Sequence, residues 1–530
     1  MPLNNGNSSS AGVYTGERDN SARASAIATS IGGIVGPSNR GPVGVPTLIV
    51  DNEDFRNKFG APDPTLTFMH LCAEAFLLES SRLMVTRVAV NAKLGGIKVT
   101  TVNNFSQTSA VQEGLDSPED ILFDTMDIMY FYAENPGNWN NNLRVVLYPD
   151  TNDLTGDQFI LNIYEGTSQV PVETYKGTVF DKLDGYGNQL SIENQLAENS
   201  GRVRVLINEG HPSLVANPKV NLINAVTSGS FTLGSNGDTV TDSDIIEAWD
   251  LYEDPEEVTV NILINAGYTD PSVQLKMAEI CEQRDDCFAV LDMPSDQQES
   301  QAAINYRRNT LNLNSSYAAI YSPDLKVRDT ANSRDIYIPP SGHVAAAYAR
   351  TDNVAASWFA PAGLNRGQLD VLGVKHIYKQ GHRDAFDDNQ INPVRFMSGH
   401  GIVIWGQETL QAHKSAMSNI NVRRLLMLLK NSIRNGVEIG VYEPHDEFLR
   451  VQLRTIAENF LNPIKRGRGL YWFDVICSDK NNTPETIAAG DVMLDVYLDP
   501  VLPAKRIHLN AIVPKTGQIK FAQELINSEG

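Results

Sequence analysis

The side chains able to do chemistry in this chain are scattered rather than gathered. Its nine histidines form no HExxH or HxH pair. The densest set of metal-type donors is His382 with Asp384, Asp387 and Asp388, inside GHRDAFDDNQIN. So polar a stretch reads as a solvated loop rather than a cation site. DTNDLTGD places Leu154 and Thr155 where a calcium loop needs an oxygen ligand and a glycine. There is no GxSxG elbow, no GxxxxGKS/T loop and no GxGxxG after a strand. Cys72, Cys281, Cys287 and Cys477 are too few for a disulfide scaffold, and the six-residue spacing of the middle pair is not that of a zinc site. All four read as reduced thiols. One acid, Asp292, lies at the carboxyl end of a predicted strand, where parallel sheets bind ligands. It could serve as a base or a metal ligand, but no partner stands near it in the sequence. An α/β enzyme using Asp292 is therefore the distant alternative; the expectation is no catalysis, no cofactor and no metal.

Charge recognition is better represented. In NVRRLLMLLKNSIRN (421–435), Val422, Leu425, Leu426, Leu429 and Ile433 fill one helical arc. Arg423, Lys430 and Arg434 form a basic stripe beside it, suited to an acidic partner surface.

That stripe stands out because the chain is acidic, with 43 basic and 64 acidic residues and a net charge of −21. Such a balance opposes general nucleic-acid binding and adsorption to anionic membranes. The acid is concentrated. Residues 91–270 hold 8 basic and 27 acidic side chains, net −19, so the remainder is nearly neutral. No apolar run reaches the ~18 residues of a membrane span. MPLNNGNSSSAG has neither the basic start nor the apolar stretch of a signal peptide, so folding in the cytoplasm is expected.

The elements that would position these residues follow from periodicity. LTFMHLCAEAFLLES (66–80) predicts a helix and RLMVTRVAV (82–90) a buried strand. From about 91 to 254 the texture is short strands and turn clusters, a β-rich insertion coinciding with the acidic block. Beyond it, strands at 258–267, 287–294 and 317–323 alternate with helices. The first helix opens at Asp270-Pro271 and the second at a Ser295/Gln298 capping box. A helix over 446–461 should stop at Asn462-Pro463, and VMLDVYLD (492–499) alternates as a half-buried strand. Short strand-like pieces lie near both ends, at Val13–Thr15 and Arg506–Val513.

The order of several segments resembles the contractile-tail sheath proteins of bacteriophages. They are AGVYTGE (11–17), GIVGPSNRGPVGVPTLIVDNEDFRNKFG (33–60), AENPGNWNNNLRVVL (133–147), RDDCFAVLDMP (284–294), PPSGHVAAAYARTDNVAASWFAPAGLNRG (339–367), INVRRLL (420–426), YEPHD (442–446) and NNTPETIAAGDVMLDVYLDPVLPAKRI (481–507). The chain departs from the family pattern at Ala11 and Thr15, and at Glu408, where an Arg is common. The resemblance implies a structural subunit that polymerises around a tail tube and contracts from a metastable extended state. It implies a virion protein, assembled in the host cytoplasm, with further copies of itself, the tube, baseplate and tail-terminator proteins as partners. The sheath of a phage-derived bacteriocin or injection device is the close alternative. Nucleic acid and membrane insertion are not expected.

The fold class expected is multidomain α/β and α+β: an α/β core with a small parallel βαβαβ unit, a β-rich insertion domain, and an α+β carboxyl-terminal domain with terminal strand arms. The boundaries drawn are an amino-terminal arm over 1–24, a core over 25–92 and 255–352, and an outward-facing acidic insertion over 93–254. An inward-facing domain over 353–505 and a second arm over 506–530 complete the chain. Arg423, Lys430 and Arg434 are then candidates for contact with the tube or a neighbouring subunit. Val13, Tyr14, Ile507 and Leu509 are candidates for strand addition between subunits.

Overall fold

The computed structural model describes residues 30–100, 105–106, 121–153, 156–219, 221–223 and 226–507. The expected amino-terminal arm, most of the carboxyl-terminal arm, and with them Val13, Tyr14 and Leu509, lie outside the described residues.

One mixed sheet organises the chain. Its strands are β1 (Gly32–Gly36), β2 (Thr47–Ile49), β3 (Leu83–Arg87), β4 (Ile262–Ile264), β5 (Phe288–Asp292), β6 (Ala318–Ser322), β7 (Gln368–Leu369), β8 (Ile391–Met397) and β9 (Gly401–Ile404). Across the sheet they run β7-β9-β8-β6-β5-β4-β1-β3-β2. The six strands from β8 to β3 are mutually parallel, and the edges are antiparallel. Parallel strands are covered on both faces, so their sequences are continuous apolar runs rather than alternations. FAVLD and AAIYS accordingly bury every residue. Close packing explains the glycine run of β1: a Cβ on Gly32 would lie 2.7 Å from the Phe76 ring.

Helices α1 (Met69–Leu77), α2 (Pro271–Arg284) and α3 (Ser341–Val354) share this core, through Phe76, Met277 and Tyr348 among others. Asp270 caps α2, accepting from the Ser272 amide at 2.9 Å, and Pro271 needs no donor at the first helical position. Ser295 and Gln298 form no capping box. Their side chains donate instead to the Asp324 carboxylate, each at 2.6 Å, and the next helix begins only at Ser300. His382 and its neighbouring acids lie on a short helix, α4 (Gln380–Asp388), rather than in a loop, because Phe386 is buried against the core.

Eight strands between Gly96 and Ser230 form two four-stranded antiparallel sheets around an apolar core of their own, which includes Phe131, Leu147, Phe159 and the adjacent Phe231. The chain enters and leaves this unit side by side, through the bridges Lys93↔Ser235 and Val90↔Asp238. Arg87, fully buried on β3, donates to the carbonyls of Gly41 at 2.7 Å and Pro136 at 2.6 Å, linking the unit to the main sheet.

Two of the boundaries drawn from sequence are corrected. The helix Asp242–Asp250 belongs to the main core, in which its Ile245 and Trp249 are buried, so the insertion ends before 254. The main sheet continues well past 352, because β8 pairs with β6 and carries β9 and β7 with it. What remains is a smaller terminal lobe: α5 (Ile420–Val437), α6 (Glu447–Arg466) and the hairpin of β10 (Leu470–Ile476) with β11 (Asp495–Pro500). Helix α6 runs through Pro463 instead of stopping there. Proline removes one donor, but Ile464 is buried in the lobe, and Gly467 and Gly469 satisfy the Pro463 and Ile464 carbonyls at 2.8 and 2.9 Å.

Candidate assembly interface

The lobe is built on one apolar seam. Leu425, Leu429 and Ile433 of α5 meet Ala457, Leu461 and Ile464 of α6, and the inward face of the hairpin closes over them with Phe473, Val475, Val496 and Leu498. The alternation of VMLDVYLD decides which side chains turn the other way. On that outer face Trp472 pairs across from Asp499, and Asp474 from Tyr497. Trp472 and Tyr497 are each about half exposed. Among the described residues the hairpin is a sheet of two strands only, so each strand has one edge without a strand neighbour.

The three cations picked out on α5 do not form a free stripe. Arg423 is only 6% exposed. Its guanidinium stacks 4.0 Å above the Tyr317 ring, donates to the Ser316 hydroxyl, and is held below its ordinary pKa chiefly by burial. Lys430 lies 3.1 Å from Asp285. Burial alone would raise that carboxyl, yet hydrogen bonds from Tyr317 and Lys430 hold it below the usual range. Arg434 is exposed. A helical wheel does not show what covers these cations: Asp285, Ser316 and Tyr317 come from more than 100 residues away.

Sequence reasoning missed the neighbouring Arg424. It forms a buried ion pair with Asp352 at 2.6 Å, with side chains 4% and 5% exposed. The Ser30 hydroxyl donates to the same carboxylate at 3.0 Å, so the first described residue, α3 and α5 meet at one point. The double arginine in INVRRLL was the available signal.

The segment after β11 returns to the main body. Lys505 pairs with Glu408, the residue that departs from the family pattern, and Arg506 pairs with Asp387 at 3.2 Å. Ile507 is then 90% exposed.

Asp292 is fully buried and accepts from the backbone amides of Gly267 at 3.0 Å and Ser341 at 2.8 Å, tying the end of β4 to the start of α3. Burial pushes its pKa up to about 7, against the pull of the Ser341 and Gly267 donors. A cleft of about 590 Å³ does open beyond the strand ends, lined by Asp242, Tyr268, Asp270, Asp296 and Tyr306, but Asp292 does not line it. The enzyme alternative therefore loses its acid to a structural role.

These features define a multi-sheet α/β protein with an inserted β unit and a two-stranded terminal hairpin. Residues 238–410 match the phage tail sheath protein central domain, and residues 412–513 the phage tail sheath C-terminal domain. The chain belongs to the phage tail sheath family. It is 32% identical to the tail sheath protein of Enterobacteria phage T4 over 306 residues, which is 54% of this chain and 46% of that protein. The chain thus spans about half the length of the curated relatives it matches. Its fold is that of the sheath tail protein of Listeria innocua, with 11% identity, a TM-score of 0.59, and coverage of 90% of this chain and 96% of that one. It is also that of the sheath complex of an extracellular contractile injection system, PVC, in its contracted state, with 17% identity, a TM-score of 0.55, and coverage of 96% and 98%.

Proposed function

We propose that this protein is a structural, non-catalytic subunit of a contractile phage tail sheath. Copies of it polymerise around a tail tube as stacked rings or a helix. They then rearrange from a metastable long form to a shorter, wider one, driving the tube through the host envelope. The tube, baseplate and tail-terminator proteins are the partners this implies, and the virion tail is the site of action. A free-energy gap of only about 1–5 kcal/mol per subunit, on the scale of ordinary two-state changes, would multiply over every copy.

The observation that carries this reading is the two-stranded hairpin, which among the described residues has no further strand on either side. A sheath must rotate its subunits without releasing them. Backbone hydrogen bonds from an added strand hold such a joint while the connector absorbs the motion. Val13 and Tyr14 at one end, and Ile507 and Leu509 at the other, are the proposed added strands. Of the three cations on α5, Lys430 and Arg434 remain candidates for a salt-sensitive contact with the tube or a neighbouring subunit, with Arg423 positioning the helix beneath them. The insertion, which carries most of the acid, would face outward, where like charge keeps finished tails apart.

Likeness to the PVC sheath favours one second reading, the sheath of an injection device or bacteriocin; the subunit mechanism is the same. Negative-stain microscopy of the purified protein tests the proposal. Striated hollow tubes are expected, and discrete small particles at every concentration would count against it.

A further inference from the structure

Helix α6 has opposite characters at its two ends. The loop leading into it, together with its first turn, exposes Glu438, Glu443 and Glu447, and Asp446 caps the helix by accepting from the Leu449 amide at 2.9 Å. None of these four carboxylates has an ion-pair partner among the described residues. Between them stand apolar side chains that no element covers among the described residues: Tyr442 is fully exposed and Phe448 77% exposed, with Val441 and Val451 beside them. The loop is held in place, since a Cβ on Gly440 would lie 3.0 Å from Leu453 of α6. Tyr442 is also fixed at φ 66°, a left-handed conformation uncommon for an aromatic residue. A large apolar side chain presented to solvent from a strained backbone marks a contact surface rather than a folding necessity.

At the far end of the same helix the sign reverses. Lys465, Arg466 and Arg468 are all exposed, and none pairs with a carboxylate among the described residues. Arg366 adds a fourth cation: its pKa is lowered by burial and then by Arg468 beside it. Twenty residues of helix separate the two clusters, about 30 Å at 1.5 Å per residue, so one subunit cannot join them within itself.

We propose that neighbouring copies of this chain meet head to tail through the two ends of α6, the acidic, aromatic end of one seating on the basic end of the next. Charge complementarity selects the occupant: the acidic patch needs a basic surface, and the chain offers one in unpaired form on the same helix. The two patches differ, so the contact is heterologous and repeats around a ring or helix instead of closing as a twofold dimer. The inference rests on the sheath reading and adds a lateral contact separate from strand addition.

Charge exchange between two preparations tests it. Glu438→Lys, Glu443→Lys and Glu447→Lys together leave only Asp446 acidic at that end and give a chain with two basic ends. Lys465→Glu, Arg466→Glu and Arg468→Glu together leave only Arg366 basic at that end and give a chain with two acidic ends. Each alone, folded as judged by an unchanged melting temperature, should yield at least ~10-fold fewer assembled particles in low salt. An equimolar mixture should recover assembly, because every junction is again complementary. Normal assembly by either variant alone, or a mixture as inert as its parts, would overturn the proposal. A second readout does not depend on tubes. Phe448→Cys and Arg466→Cys chains, mixed and oxidised, should give a disulfide-linked dimer of the two; the four native cysteines are buried. Failure to cross-link overturns the contact even where tubes form. Cross-linking without tubes in the wild type keeps the contact and counts against the sheath reading.

Discussion

The main sheet and the terminal hairpin treat their edges in opposite ways. The nine-stranded sheet ends in β2 and β7, of three and two residues. Edges that short offer little to a passing strand. The hairpin is all edge: β10 and β11 have seven and six residues and no further strand beside either among the described residues. Polar groups follow the same division. The body encloses Asp292 and His70, and the Arg424–Asp352 pair is buried where α5 of the lobe meets α3 of the body, whereas the lobe presents Trp472, Tyr497, Tyr442 and Phe448 to solvent. One region is finished by its own chain. The other leaves a long strand edge on each side without a neighbour among the described residues.

If the division is real, substitutions should separate into those that unfold the subunit and those that leave it intact. Arg424→Ala belongs to the first kind. It removes the cation that pairs with the buried Asp352 carboxylate, leaving the Ser30 donor, and should cost about 3–5 kcal/mol in denaturant unfolding. His70 tests the body by pH. Its ring packs 5.1 Å from Phe55 and its Nε2 lies 3.3 Å from the Phe59 carbonyl, and burial lowers its pKa from 6.5 to about 4. A histidine held neutral by the fold contributes its stability fully above pH 6.5 and loses it as pH falls from 6.5 toward 4. Unfolding titrations should show a slope over that window worth at most ~3 kcal/mol, and His70→Gln should flatten it. Asp292→Asn should be milder, at about 1–3 kcal/mol, because an amide can accept from only one of the Gly267 and Ser341 donors. Smallest of all, Trp472→Ser combined with Tyr497→Ser should move the unfolding midpoint by no more than about 0.5 kcal/mol. A large loss there would mean that the hairpin's outer face belongs to the subunit's own core, and the comparison would fail.

How much of this could be read beforehand varies with the range of the interaction. Asp270-Pro271 signals a helix start by local chemistry alone, and the structure has that cap. The alternation in 492–499 separated Val496 and Leu498 from Tyr497 and Asp499, as the hairpin does. Contacts distant in sequence were not legible. The burial of Arg423 depends on Tyr317 and the partner of Lys430 is Asp285, and no periodicity within one helix encodes either. The continuation of the main sheet into β8 and β9 was hidden for a similar reason, since strand pairing across 70 residues leaves no local mark. Pro463 misled because a proline signals a helix end only where tertiary packing does not hold the next turn in place.

The central claim is that a neighbouring chain completes the hairpin. Its most direct test compares full-length protein with protein lacking residues 1–20, by unfolding and by negative-stain microscopy of the same samples. The account predicts equal unfolding midpoints, tubes from the full chain, and dispersed monomers from the truncation. Tubes of normal length and number from the truncated protein would contradict it.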